Sequence, residues 1–134
     1  MTDTLTVAIM DAPYEAAAST TAFRLIAAAL GKGINVNVFA YEGAVSLTMK
    51  DQAPHANPVK GTTVEEEDHP TTKDLVAALV ALGKGEPTLT WMNCGLCVDE
   101  RGAGNWIDGV KRGSPADFLK MALESTNTLV IPTK

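Results

Sequence analysis

The chain has 134 residues, 46% of them apolar and 20% charged, with a formal charge of −5. That length suits one domain, residues 1–134, around a single core, and the negative charge excludes a binder of nucleic-acid phosphates, which needs a clustered cationic face; the longest basic cluster is Lys111-Arg112. No apolar run reaches the roughly 18 residues that span a bilayer, and Met1-Thr2-Asp3-Thr4 opens no secretory signal, so the expectation is a cytoplasmic protein that binds neither membrane nor nucleic acid.

Leu5 to Met10 is a short apolar run that reads as a buried first strand, turned by Asp11-Ala12-Pro13. From Tyr14 to Leu30 the residues Phe23, Ile26, Ala27 and Leu30 recur at helical spacing, and Gly31 and Gly33 stop the helix. Asn35 to Tyr41 alternates polar and apolar as a second strand does, which makes a right-handed parallel βαβ unit. Between Glu42 and Asp68 the signals weaken. A short helix from Ala44 to Lys50 precedes a long loop, in which the run Glu65 to Asp68 reads as a solvated face.

Thr71-Thr72-Lys73-Asp74 resembles a capping box before an apolar helical pattern from Leu75 to Leu82. Thr88 to Asn93 favours a strand and delivers the chain to Cys94-Gly95-Leu96-Cys97, after which Val98 to Gly102 begins a helical turn and ends it. Trp106, Ile107 and Val110 suggest a short amphipathic turn. Ser114-Pro115-Ala116-Asp117 starts a further helix, and Thr128 to Ile131 is a last strand stopped by Pro132. The sum is one α/β domain with a mostly parallel sheet of four or five strands.

The cysteines are the chain's two, three residues apart, at the carboxyl edge of the sheet where open α/β folds hold their ligands. In a reducing compartment a lone CxxC points to catalytic, redox or metal chemistry rather than a structural staple. A structural zinc needs four ligands, and His55 and His69 have the wrong spacing for a finger. A thioredoxin-type dithiol stands near the start of its fold, whereas this motif comes after two thirds of the chain. Two inert buried cysteines are the bland alternative, though a strand end beside glycine is a poor place for packing. A thiolate that carries something, a dithiol oxidoreductase and a metal-binding or scaffold module all stay open on the residues alone.

The chain resembles the DsrE/DsrF-like family, which includes TusD-type subunits of sulfur-relay complexes. The similarity lies in the strand ending at Asp11-Ala12-Pro13-Tyr14, the alanine-rich helix before Gly31-Lys32-Gly33, and Val38-Phe39-Ala40-Tyr41-Glu42-Gly43-Ala44-Val45. Its most specific part is Cys94-Gly95-Leu96-Cys97-Val98-Asp99-Glu100-Arg101-Gly102. The resemblance implies a three-layer α/β sandwich flanked by helices, and rings of three subunits or pairs of such rings. It also implies a persulfide on the cysteine seven residues before the arginine, Cys94, exchanged with sulfur donor and acceptor proteins. Many members lack a second cysteine where this chain has Cys97, which would serve as a resolving or auxiliary thiol.

Such a thiolate has to be reachable by a partner's cysteine. Arg101, one helical turn from Cys97, is a candidate cation for it or else a solvated surface residue. Asp11, Tyr14 and Glu42 follow strand ends and are candidates for lining the same cleft, with a helix cap the plainer reading of Asp11. His55 and His69 read as solvated, Trp91 and Trp106 as packing residues. No phosphate-cradling glycine pattern occurs, and no cofactor or metal is expected.

Overall fold

The computed structural model describes residues 2–14, 17–56, 59–67 and 70–133. The elements are β1 (Thr4–Ile9), α1 (Ala18–Gly31), β2 (Asn35–Ala40), a 3-10 segment (Glu42–Thr48), α2 (Val64–Glu67), α3 (Thr72–Leu82), β3 (Leu89–Cys94), α4 (Gly95–Arg101), β4 (Val110–Gly113), α5 (Pro115–Glu124) and β5 (Asn127–Ile131). The five strands lie in the order β4-β3-β2-β1-β5 and pair in parallel throughout. No helix among the described residues is long and apolar enough to cross a membrane.

Side chains alternate across a strand, so each strand feeds two layers. Val7, Ile9, Val36, Val38 and Trp91 point to one face, where Phe23 and Ile26 of α1 and Val76 and Leu79 of α3 cover them. Phe39 and Cys94 point to the other, against Val98 of α4 and the half-buried Phe118 and Met121 of α5. The 3-10 segment closes the carboxyl end of the sheet, giving Ala44 and Leu47 to the first layer and Val45 to the second. The three layers and the parallel sheet match expectation.

Four local readings change. The first helix was expected from Tyr14, but Tyr14 sits at φ 66, a left-handed conformation that cannot continue an α-helix, and α1 begins at Ala18; Glu15 and Ala16 lie outside the described residues. The helix expected over Ala44 to Lys50 is the tighter 3-10 turn over Glu42–Thr48. Part of the acidic run forms α2, with Asp68 and the neighbouring His69 outside the described residues. The amphipathic turn near Val110 is instead the start of the edge strand β4. A four-residue strand with one large apolar side chain leaves no period for the sequence to show.

The two caps part company. Ser114 forms its capping box, its backbone N–H donating to Asp117 Oδ2 at 2.8 Å. At Thr71 the hydroxyl donates instead to the Asp74 carboxylate at 2.8 Å and caps no backbone group.

Candidate functional site

Cys94 is the last residue of β3 and the cap residue of α4, so the chain turns from sheet to helix at its Cα. It pairs in register with Gly113 of β4, while its predecessor Asn93 pairs with Ala40 of β2. One helical turn on, Cys97 brings its thiol back toward Cys94. Both are free thiols, and the Cys97 thiol lies within the influence of Cys94 and of the Glu42 backbone N–H. Burial and then Cys94 push the Cys97 thiol up from its ordinary value, against smaller opposing effects of the Glu42 N–H and the Arg101 charge.

The expectation of an open thiol at position 94 is not met in the single chain. Cys94 is 2% exposed, enclosed by Phe39, Val45, Val98 and Ala103, and Cys97 is the partly exposed sulfur of the pair. A cleft of about 420 Å³ runs past Gly95, Leu96, Arg112 and Ser114 at the start of α4. In native protein, therefore, an alkylating reagent modifies Cys97 well before Cys94; peptide mapping by mass spectrometry after a short exposure reads this directly.

A network of buried polar groups fixes the strand end. Asn93 is wholly buried; its side-chain amide accepts from Trp91 Nε1 at 3.2 Å and donates to Thr48 Oγ1 at 3.0 Å. That ties β3 to the 3-10 segment and holds the Glu42 N–H near Cys97. Asn93→Ala leaves buried partners unsatisfied, and an equilibrium urea melt should show a loss of about 1–3 kcal/mol.

The other expected residues divide. Arg101 turns back along its helix, Nη1 donating to the Cys97 carbonyl at 3.4 Å, so its charge reaches the sulfur without touching it. Glu42, at φ 49, offers its backbone N–H, and its side chain is exposed. Asp11 is 8% exposed with Oδ2 lacking a partner among the described residues. Its loop abuts that of Glu42: Ala44 N–H donates to Met10 O, and a Cβ on Gly43 would lie 2.9 Å from that of Ala12, so the approach requires glycine. Tyr14 stands elsewhere. It lines a groove between α1 and α3 and sets its ring edge-on to His55, 5.3 Å between centroids.

Two residues join the site that sequence reasoning passed over. Arg112 of β4 lies across Gly95, where an added Cβ would be 2.7 Å from its guanidinium carbon, and both Nη atoms donate to Asp99 at 3.1 and 2.8 Å. The bond to Asp99, that residue's charge and finally the charge of Cys94 all push Arg112 up. Lys111-Arg112 was visible as a basic pair, but without β4 nothing placed it near the cysteines. Tyr41, just beyond β2, packs on Phe39 and Phe118 with centroids 4.6 and 5.7 Å away; burial and then the charges of Cys94 and Cys97 push its phenol up.

Arg112 also holds the Asp99 carboxyl below its ordinary value of 3.8. Since the folded carboxyl is the stronger acid, the pair's contribution is complete above the unfolded value and vanishes as the pH falls through the folded one. Both side chains are exposed and the contribution is small. In an NMR titration, Arg112→Gln should return the Asp99 midpoint upward to the ordinary value.

Among the described residues no three His, Cys, Asp or Glu side chains come together to hold a metal. Residues 3–131 match the DsrE/DsrF-like family. Over 126 residues the chain is 29% identical to an uncharacterized protein of Methanocaldococcus jannaschii, covering 92% of this chain and 96% of that one. An uncharacterized protein of Methanopyrus kandleri is 28% identical over 129 residues, 95% of this chain and 93% of the other. The crystal structure of the ychN protein from E. coli superposes with a TM-score of 0.75 at 22% identity, over 97% of this chain and 99% of that one, which establishes a shared fold.

Proposed function

The chain belongs to the DsrE/DsrF-like family, and from that premise we propose that it is a sulfur carrier, holding sulfane sulfur as a persulfide on Cys94 with Cys97 as the resolving thiol. The observation that carries this reading is the sulfur pair itself: two free thiols one helical turn apart at the strand end, with the Arg112 guanidinium lying across the adjoining Gly95.

In loading, local opening of the wall formed by Phe39 admits the donor, and the Cys94 thiolate attacks the outer sulfur of the donor protein's persulfide. The donor's S–S bond breaks, a new one forms on Cys94, and the donor leaves as a thiolate. Delivery is the same exchange run onto an acceptor's thiolate, so no net oxidation occurs. A branch competes: Cys97 attacks the inner sulfur, expels hydrosulfide and leaves a Cys94–Cys97 disulfide that an external thiol must reduce. Keeping Cys97 protonated slows that branch, because only the thiolate attacks. The elevated Cys97 thiol thus suits a protein that keeps its cargo. Such a dithiol works in a reducing compartment, and we place it in the cytoplasm.

Exposure of wild-type protein to a sulfane donor, followed by intact mass, should show a gain of one sulfur atom that an acceptor thiol removes. Reversible dithiol cycling with no sulfur gain would make the protein an oxidoreductase instead, and near-stoichiometric zinc lost on Cys→Ser change would make it a metal module.

We also propose a homo-oligomer, a trimer or hexamer. Leu119 and Leu123 of α5 and Leu129 and Val130 of β5 are all at least 40% exposed, an unusual apolar display for an edge strand and its preceding helix. Gel filtration at low micromolar concentration should give a multimer, and Leu123→Glu should shift it toward monomer without altering the circular dichroism. A wild-type monomer would refute the assembly.

A further inference from the structure

On the sheet face opposite the cysteines, α1 and α3 leave between them a groove of about 720 Å³. Ala27 and Ala78, with one methyl group each, leave the space open, and Phe23, Leu75 and Leu79 form its apolar floor. Its volume lies within the range of small-molecule sites, and so does its make-up, mostly apolar with a few polar groups.

Two of those polar groups want a partner. Ser19 is 3% exposed, lines the groove, and its Oγ has no hydrogen-bond partner among the described residues. A buried hydroxyl in that state is uncommon in folded proteins and points to a ligand or ordered water. Arg24, five residues further along α1, is the charged residue of the lining and makes no ion pair among the described residues. In a chain of net charge −5, a lone guanidinium on the rim of an apolar groove selects for an anion.

We propose that this groove binds a small amphipathic organic acid, its apolar chain or ring lying between α1 and α3, its carboxylate on Arg24, and an oxygen within reach of Ser19. The site is independent of the sulfur chemistry. It shares none of its lining with the cleft at the start of α4 and includes neither cysteine, so the two stand or fall separately.

Decanoate is the probe, titrated into full-length protein while amide and methyl NMR signals are followed. Saturable shifts are expected at Ser19, Phe23, Leu75 and Leu79, with Cys94 unmoved. Arg24→Gln should weaken binding about tenfold, as loss of a charge-assisted contact does. Decanol in place of decanoate should lose affinity by about the same factor, since it lacks the charge. Ala78→Trp, at an exposed position where the fold tolerates bulk, should fill the groove and abolish the shifts. Absence of saturable shifts overturns the proposal. So does binding that neither variant alters, or a groove already closed in solution by a second copy, seen as these same signals changing with protein concentration alone.

Discussion

Cys94→Ser should leave no sulfur-loaded species in the intact-mass spectrum after exposure to a sulfane donor, whereas Cys97→Ser should load fully and hold its sulfur longer than wild type. The two thiols are neighbours at one strand-to-helix junction, so a general loss of structure would treat them alike. The asymmetry comes from the proton. The Cys97 thiol is pushed up by burial and by Cys94, and a thiol is a poorer nucleophile than a thiolate. Removing it leaves the Cys94 sulfur in place and deletes only the route that ends in an intramolecular disulfide. Raising the pH through the Cys97 value should restore that route in wild type, with hydrosulfide release rising, and should leave Cys97→Ser unaffected. Equal loading by both single variants would transfer the role away from Cys94.

Phe39→Ala should cost about 3–5 kcal/mol of stability in a urea melt, the range for truncating a buried phenylalanine. Phe39 is wholly buried, its ring tilted against Tyr41 at 4.6 Å between centroids and 5.5 Å from Phe118, and forms part of the wall over Cys94. The same truncation should open the thiol. If modification of Cys94 depends on local opening, a shift of only ~1.4 kcal/mol in that equilibrium raises its rate about tenfold. Alkylation at Cys94 should then approach that at Cys97, measured well below the melting transition. Destabilisation with Cys94 still protected would mean that Val45, Val98 and Ala103 close the sulfur off without the ring.

Four of the five strands and the three long helices were legible because each carries its own apolar period. Leu5 to Met10, Phe23 to Leu30 and Leu75 to Leu82 need no distant partner to show which way they face. The motif's position at the end of β3 was legible too. Strand β4 was not, since Val110-Lys111-Arg112-Gly113 is held by pairing with Trp91 through Cys94 and by little of its own composition. Missing that strand meant missing Arg112, whose guanidinium lies across Gly95, next to Cys94, only because β4 lies beside β3. Likewise Tyr14 shares a sheet edge with the cysteines in sequence order, but its left-handed backbone sends the ring toward α3 and His55.

By itself the sequence determined the class of fold, the placement of two thiols at a strand terminus and the family, because these rest on local periodicity and on contiguous residues. Tertiary structure alone decided how far each sulfur is shielded, which cation lies at the strand end and what pushes the Cys97 thiol up. Those properties depend on Phe39, Tyr41, Arg112 and Phe118, far apart along the chain and brought together only when the sheet and its covering helices close on one another.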